Sequence, residues 1–314
     1  MKVYIIVVNW NGRENLLNCL KSLRQQVYPS FKIVVVDNGS KDGSVELMKQ
    51  DFPDVKLIPL FKNTGFGIGN NVGIKWALAQ GADAIALINN DCVADTHWLS
   101  HLVASMKQDS SVGACAAQLL FSYDHTKING IGIIMNNIGF AGDNYWNKDF
   151  IPLRSSEETI GFTGGACLIR SSVLTQVGLF DPFYFMYMED VDLSLRIWKA
   201  GFKIITVPQA IVYHQYSSTA KRFPHKVHYY GVRNHLYFAM KFFSFYKLVR
   251  ILFLVSGIRI YQGATILKNK QFQLFFWHIF GFFGGFARGA LQFPKSLFYR
   301  SSYGIEPKLW DKIA

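Results

Sequence analysis

Two continuous apolar, β-branched runs, Val3–Val8 and Ile33–Val36, stand on either side of one helical stripe, and this arrangement constrains the fold more tightly than anything else in the chain. Runs of this kind suit central strands of a parallel sheet, covered on both faces. Between them Leu16, Leu17, Leu20, Leu23 and Val27 recur at three-to-four spacing, which gives a helix an apolar face to turn toward a sheet. The alternation continues with a turn and helix over Asn38–Gln50, a strand over Val55–Leu60, a glycine-rich turn and helix over Gly65–Gln80, and a strand over Ala84–Asn89. That order implies right-handed crossovers and an α/β fold with a mainly parallel central sheet. Beyond it we expect a helix from Asp95 to Gln108, then short strands and glycine turns from Val112 to about Asp149. A strand-like segment over 160–170 and a helix over Val191–Ala200, stopped by Gly201, complete the pattern.

The 314 residues leave room for one large domain with an appendage, or for two domains. The net charge of +12 is unevenly placed: residues 1–220 hold 18 Lys/Arg against 19 Asp/Glu, whereas residues 221–314 hold 15 against 2 and carry 24 of the 49 aromatic residues. We therefore divide the chain into a folded domain over 1–222, with halves 1–92 and 93–222, and a basic, aromatic-rich, helical region over 223–314. No nucleic-acid partner is expected, because a phosphate-tracking domain carries its basic residues on its folded part. The uncharged stretch Gln271–Ala287 is marginal for the ~20 apolar residues that span a bilayer, and a protein touching a membrane surface fits better. Within it Phe272, Phe275, Phe276, Ile279, Phe280 and Phe283 recur at helical spacing, as in a core-facing helix or one lying in a lipid interface. The flanking Lys268, Lys270, Arg288, Lys295 and Arg300 favour the interface.

Cys19, Cys92, Cys115 and Cys167 form no CxxC pair and read as reduced thiols. The N-terminal MKVYIIVVNWNG lacks a small-residue cleavage site, so no signal peptide is expected. Together with the tail, this points to peripheral attachment at the cytoplasmic face of the inner membrane.

Ligands of open sheets bind beyond the carboxyl ends of the strands, which here read Asn9–Gly12, Asp37–Ser40 and Asn90–Asp91. Asp37, followed by a turn of Asn, Gly and Ser, either accepts the N–H of a pyrimidine base or caps the next helix. The loop Asn63–Gly73 permits close approach of an anionic or sugar ligand, or is a tight turn packed by its glycines; it lacks the ending of a Walker loop. Asp91, last of Asn89-Asn90-Asp91, suits a hard divalent cation or a turn cap, and Cys92 beside it reads as a small buried neighbour. Glu189, Asp190 and Asp192 crowd the start of one helix, more acids than a cap requires. Asp192 is spaced to pair with Arg196, and the apolar run Phe183–Met188 is placed to raise a carboxylate toward general-base chemistry. His214 gains a role if the fold brings it beside Asp91.

In order and spacing, VVNWNG (Val7–Gly12), VVVDNGSKDGS (Val34–Ser44), NTGFGIGNNVGI (Asn63–Ile74), LINND (Leu87–Asp91), GGACLIR (Gly164–Arg170), the stretch Gly178–Arg196 and VYH (Val212–His214) resemble the inverting family-2 glycosyltransferases of GT-A fold. The likeness is greatest to their bacterial rhamnosyltransferase-like branch and covers roughly residues 1–240. It implies that Asp37 contacts the nucleobase. Asn9, Asn38, Asn63, Gly65, Asn70, Asn71, Asn89 and Asn90 would belong to the nucleotide-sugar site. Asp91 and His214 would hold Mg²⁺ or Mn²⁺ on the donor diphosphate, and Asp190 would be the catalytic base. The metal motif of the family often reads Asp-x-Asp, whereas here one carboxylate remains. The resemblance further implies a dTDP- or UDP-sugar donor, dTDP-rhamnose first and UDP-hexose or UDP-galactofuranose next, and a lipid-linked saccharide acceptor in cell-surface polysaccharide synthesis. The competing class is a non-catalytic protein that binds a membrane surface or polyanion through its basic tail.

Overall fold

The computed structural model describes residues 1–136, 138–150, 155–215, 223–243 and 245–302, exclusive of the side chains at 245–247, 250–252, 255, 256, 258, 259 and 292–302. The chain opens with β1 (Val3–Asn9), α1 (Arg13–Arg24), β2 (Phe31–Asp37), α2 (Ser44–Asp51), β3 (Lys56–Pro59), α3 (Phe66–Ala79) and β4 (Ala84–Ile88). There follow β5 (Cys92–Ala94), α4 (Trp98–Gln108), β6 (Val112–Phe121), β7 (Asp124–Ile131), β8 (Ile133–Met135), β9 (Ala141–Asp143), β10 (Ala166–Arg170), α5 (Ser171–Val177), α6 (Glu189–Lys199) and β11 (Lys203–His214). Three helices end the described chain: α7 (Pro224–Phe242), α8 (Phe245–Lys268) and α9 (Phe272–Ser302).

The main sheet runs β3-β2-β1-β4-β10-β6-β11-β5, with β7 added on β6. Its first four strands are parallel, as the crossover pattern requires. Past β4 the sheet is mixed: β10 lies antiparallel to both β4 and β6, while β11 returns parallel to β6. Strands buried on both faces carry the same apolar run in either direction, so the sequence pattern reports burial and leaves direction open. One face packs on α1 and α4 through Leu16, Leu20, Trp98 and Leu102. The other packs on α3, α5 and α6 through Ile74, Val173, Leu193 and Ile197. Gly69 and Gly73 let α3 lie close on Val8 and Ile6, where a Cβ would stand 2.8 and 2.6 Å from those side chains.

The helix expected from Asp95 begins at Trp98 instead. Asp95 spends its carboxylate on the His97 N–H at 2.9 Å and its carbonyl on the Trp98 N–H, which makes it a turn residue ahead of the helix. Residues 92–94 just before it pair with β11. All four cysteines are free thiols, and all are buried.

Contacts sort the chain into two compact units. The first comprises Met1–Ile134, Gly142–Phe185 and Glu189–Tyr216; the second comprises Met135–Ala141, Met186–Met188 and Ser217–Ala314. Two short segments, 135–141 and 186–188, thus join the tail, and the division at 222/223 falls against residues 216–222, outside the described residues. In the second unit α9 packs on α7 through glycines four apart. A Cβ on Gly281 would lie 2.8 Å from the Tyr229 carbonyl oxygen and one on Gly285 2.5 Å from that of Arg233. Beside these glycines Trp277 packs on Tyr229 and His278 meets His228, whereas Phe272, Phe276, Phe280 and Phe283 stand exposed and Phe275 and Phe282 are half-buried.

Candidate active site

The carboxyl ends of β1, β2 and β4 are tied together by amides. Asn9, fully buried, donates through Nδ2 to Asp37 Oδ1 and Ser40 Oγ, each at 3.2 Å, and accepts from Asn90 Nδ2 at 2.7 Å. Asp37, also buried, accepts the Ser40 N–H at 2.9 Å through its other oxygen. Asn38 accepts from the N–H and hydroxyl of Thr64 and donates to Asn63 Oδ1 and the Gly65 carbonyl, so the loop after β2 holds the loop before α3. Gly65 stands at φ +87°, where a Cβ would overlap the Phe185 carbonyl oxygen; only glycine fits that turn. Asn70 donates to the Phe66 carbonyl, and Asn71 makes a two-way amide pair with the backbone of Phe180. Asn89 is engaged through its backbone with Gly165 and Cys92. Asn9, Asn38, Asn63 and Asn90 thus tie together the loops rimming the strand ends, whereas Asn70, Asn71 and Asn89 bond backbone groups of Phe66, Phe180 and Gly165.

Antiparallel pairing of β11 with β5 sets His214 opposite Cys92, which brings its ring beside Asp91. Nε2 of His214 lies 3.3 Å from Asp91 Oδ1, with both side chains nearly buried. Nδ1 sits 2.6 Å from Asn129 Oδ1 on β7; in the neutral tautomer that donates from Nδ1 to that oxygen, Nε2 offers its lone pair on the Asp91 side. In that tautomer Nε2 and the Asp91 carboxylate are two donor groups within reach of one small divalent ion, so the donor set fits such an ion. Cys92 completes the cluster in space, but burial and the Asp91 charge push its thiol well above the usual range, and it donates to the Gly165 carbonyl. A thiol held protonated is no ligand for a hard ion.

The three acids of α6 have three environments. Asp192, fully buried, holds the Arg196 Nε at 2.7 Å, and that guanidinium also donates to the carbonyls of Val177, Gly178 and Leu179. It is a structural ion pair that anchors the loop before Phe180. Glu189 is buried, its Oε2 has no partner among the described residues, and burial with the Asp190 charge pushes its carboxyl far up. Asp190 is half-buried and accepts the Gly164 N–H at 3.1 Å and the Val191 N–H at 2.9 Å. Burial raises its carboxyl, and these two N–H groups oppose the rise.

Sequence reasoning passed over Asp143, at the end of β9. It packs on Gly130, where a Cβ would lie 2.8 Å from the Asp143 Cβ. Burial, then the Asp190 charge, push its carboxyl up to about 7, and His214 pulls it down. Asp143 therefore shares one electrostatic neighbourhood with both. Its Gly-Asp-Asn setting carries no signal beyond that of a turn.

Solved structures place this fold among glycosyltransferases of GT-A type. The mannosyltransferase PcManGT from Pyrobaculum calidifontis, solved with GDP-Man and Mn²⁺, superposes with a TM-score of 0.55 at 14% identity over 93% of this chain and 87% of that one. GalNAc-T7, solved with UDP, GalNAc and Mn²⁺, gives 0.56 at 17% over 82% of this chain, which spans only 54% of its length. Residues 4–178 match the Glycosyl transferase family 2 model, and the chain belongs to that family. Residues 107–265 match a second model, Glycosyltransferase (GlcNAc). Among curated relatives, N-acetylglucosaminyl-diphospho-decaprenol L-rhamnosyltransferase of Mycobacterium tuberculosis is 29% identical over 70% of this chain and 78% of its own. The O-antigen chain rhamnosyltransferase RfbN of Salmonella typhimurium is 26% identical over 70% and 68%.

Proposed function

We propose that this glycosyltransferase moves rhamnose from dTDP-rhamnose to a lipid-linked saccharide, with inversion at the anomeric carbon. The observation that carries the reading is the meeting of Asp91 and His214 beyond the sheet, two donors suited to one divalent ion on a donor diphosphate. The rhamnosyltransferases among the relatives support the choice of sugar.

A sugar leaving a nucleoside diphosphate builds negative charge on the diphosphate and positive charge at the anomeric carbon. A divalent cation, Mn²⁺ or Mg²⁺, held by Asp91 and His214, would supply Lewis-acid neutralisation of the leaving group. Asp190 takes the proton of the acceptor hydroxyl as its oxygen bonds the anomeric carbon, and the bond to the diphosphate breaks with its electron pair leaving on the nucleotide. The N–H groups of Gly164 and Val191 hold the Asp190 carboxylate in place. Burial and the Asp190 charge push the Glu189 carboxyl well up, which disfavours a second negative charge beside Asp190. Asp37 accepts the N–H of the base, and Asn9, Asn38, Asn63, Gly65, Asn70, Asn71, Asn89 and Asn90 shape the pocket around the nucleotide.

The direct test supplies dTDP-rhamnose and N-acetylglucosaminyl-diphospho-decaprenol to the full chain, with Mn²⁺, Mg²⁺ or chelator. Cation-stimulated transfer is expected in the wild type, and loss of that stimulation in Asp91→Ala. Full activity in chelator removes the metal role of both Asp91 and His214. Transfer from UDP-galactofuranose or a UDP-hexose alone would reassign the donor and leave the reaction class intact.

A further inference from the structure

The polypeptide enters α6 through an unusual backbone. Tyr187 and Met188, the two residues before Glu189, both sit in the left-handed region, at φ +70° and +72°. Neither is glycine, and L side chains rarely adopt that conformation. A helix is normally entered from an extended residue whose side-chain oxygen caps the first turn, and Met188 offers neither the backbone nor the oxygen.

Within the second compact unit, and among the described residues, the side chain of Asn234 holds this turn. Asn234, on α7 and fully buried, donates through Nδ2 to the carbonyl oxygens of Met186 at 2.7 Å and Tyr187 at 2.8 Å. Its Oδ1 accepts Arg233 Nε at 2.9 Å, which fixes which end of the amide is which. The Arg233 guanidinium is in turn stacked over Tyr230, 4.7 Å from the ring centroid. Both ends of the amide are thus committed, and the two carbonyls it holds belong to the turn that twists the chain into the left-handed conformation. Met188 is bonded to Glu189, and Asp190 is the next residue.

We infer that Asn234, oriented by Arg233, is a positioning residue: it clamps the left-handed dipeptide Tyr187–Met188 and so fixes the entry of α6 that presents Asp190. The inference rests on Asp190 being the base. It gives the basic C-terminal region a part in catalysis distinct from any part in membrane attachment. A base displaced by about 1 Å loses on the order of 10²-fold in rate, whereas donor binding depends on other strand ends. The clamp should therefore be felt in kcat and not in donor affinity.

The test uses the full chain with dTDP-rhamnose and N-acetylglucosaminyl-diphospho-decaprenol. Asn234→Ala should lower kcat roughly 10- to 100-fold with the donor Kd and KM within about twofold of wild type. Amide exchange over 186–191 should accelerate. In a Tyr187→Gly/Met188→Gly background, where left-handed backbone is free of steric penalty, adding Asn234→Ala should cost several-fold less than in the native background. Unchanged kcat, equal loss of donor binding and kcat, or the same cost in both backgrounds would each overturn the clamp. If the wild type transfers nothing, the rhamnosyl reading fails separately, and amide exchange alone decides: protection unchanged by Asn234→Ala refutes the clamp.

Discussion

Three carboxylates in four residues look interchangeable on paper, and their surroundings make them unlike. Asp192 spends its charge on Arg196, burial and the Asp190 charge push the Glu189 carboxyl well up, and the Asp190 carboxylate is supported by two N–H groups. Asp190→Asn should therefore retain donor binding and lose transfer by ~10²–10⁴-fold, the usual worth of a general base; near-normal turnover would pass the role to another acid. Asp143 offers a pH test with a definite sign. Its carboxyl titrates about 7 in the fold against 3.8 when exposed. Below about pH 4 it is protonated in both states; as pH rises toward 7 the unfolded chain releases a proton that the folded chain keeps, and stability falls. Asp143→Asn removes that loss, so in chelator its melting temperature should exceed that of wild type at pH 8 and match it at pH 4. A gap of equal size at both pH values would show that the carboxyl is not raised. Among these residues the sequence reading singled out Asp190 as the base it proposes, and it named from spacing alone the Asp192–Arg196 pair that the structure forms. It missed Asp143 because the burial that perturbs this acid comes from Gly130 and the neighbouring site, none of it local in sequence.

At the scale of elements, what the sequence displayed was burial and period. Continuous apolar runs marked β1, β2 and β4, and three-to-four stripes marked α1 and α6. Strand direction was not encoded in those runs, and this is why the antiparallel placement of β10 between β4 and β6 emerged only from the structure. The same holds for the metal corner. Asp91 and His214 lie far apart in sequence, and the register of β11 on β5 is what joins them. β7 adds a third element to that corner, because Asn129 Oδ1 lies 2.6 Å from Nδ1 of His214 and is placed to orient the ring. Groups that orient a ligating imidazole are typically worth 10–100-fold in metal affinity. Asn129→Ala should accordingly weaken Mn²⁺ binding by about that factor, as read by calorimetry, while leaving nucleotide binding in chelator unchanged. Unaltered Mn²⁺ affinity would take Asn129 out of the site.

On the scale of the whole molecule the question is what the basic, aromatic tail touches. The sequence left two readings of the phenylalanine stripe, a core-facing helix or one in a lipid interface. Glycines of α9, with Trp277 and His278 beside them, take the contact with α7; of the stripe, Phe272, Phe276, Phe280 and Phe283 stand 58%, 60%, 62% and 63% exposed, Ile279 is exposed at its edge, and Phe275 is half-buried. Lys268, Lys270 and Arg288 are exposed around them, while the side chains of Lys295 and Arg300 lie outside the described residues. Phe272–Leu291 is also the one helical stretch among the described residues long and apolar enough to cross a bilayer. A row of exposed aromatic rings flanked by cations matches an anionic membrane surface, where inserted rings and charge act together and each basic residue contributes roughly 1 kcal/mol. Peripheral attachment at the cytoplasmic face, where a lipid-linked acceptor is presented, follows as our expectation. Because α7 holds the turn before Asp190, removal of the tail would disturb more than attachment, and point changes on the full chain are the cleaner probe. Wild type should pellet with anionic liposomes and less so as salt rises. Phe276→Asp/Phe280→Asp/Phe283→Asp should stay in the supernatant at every salt concentration. Lys268→Gln/Lys270→Gln/Arg288→Gln should pellet weakly and lose the salt dependence, with both variants still binding donor. Pelleting of all three proteins alike, or of none, would leave the tail without a membrane role and the glycosyltransferase chemistry untouched.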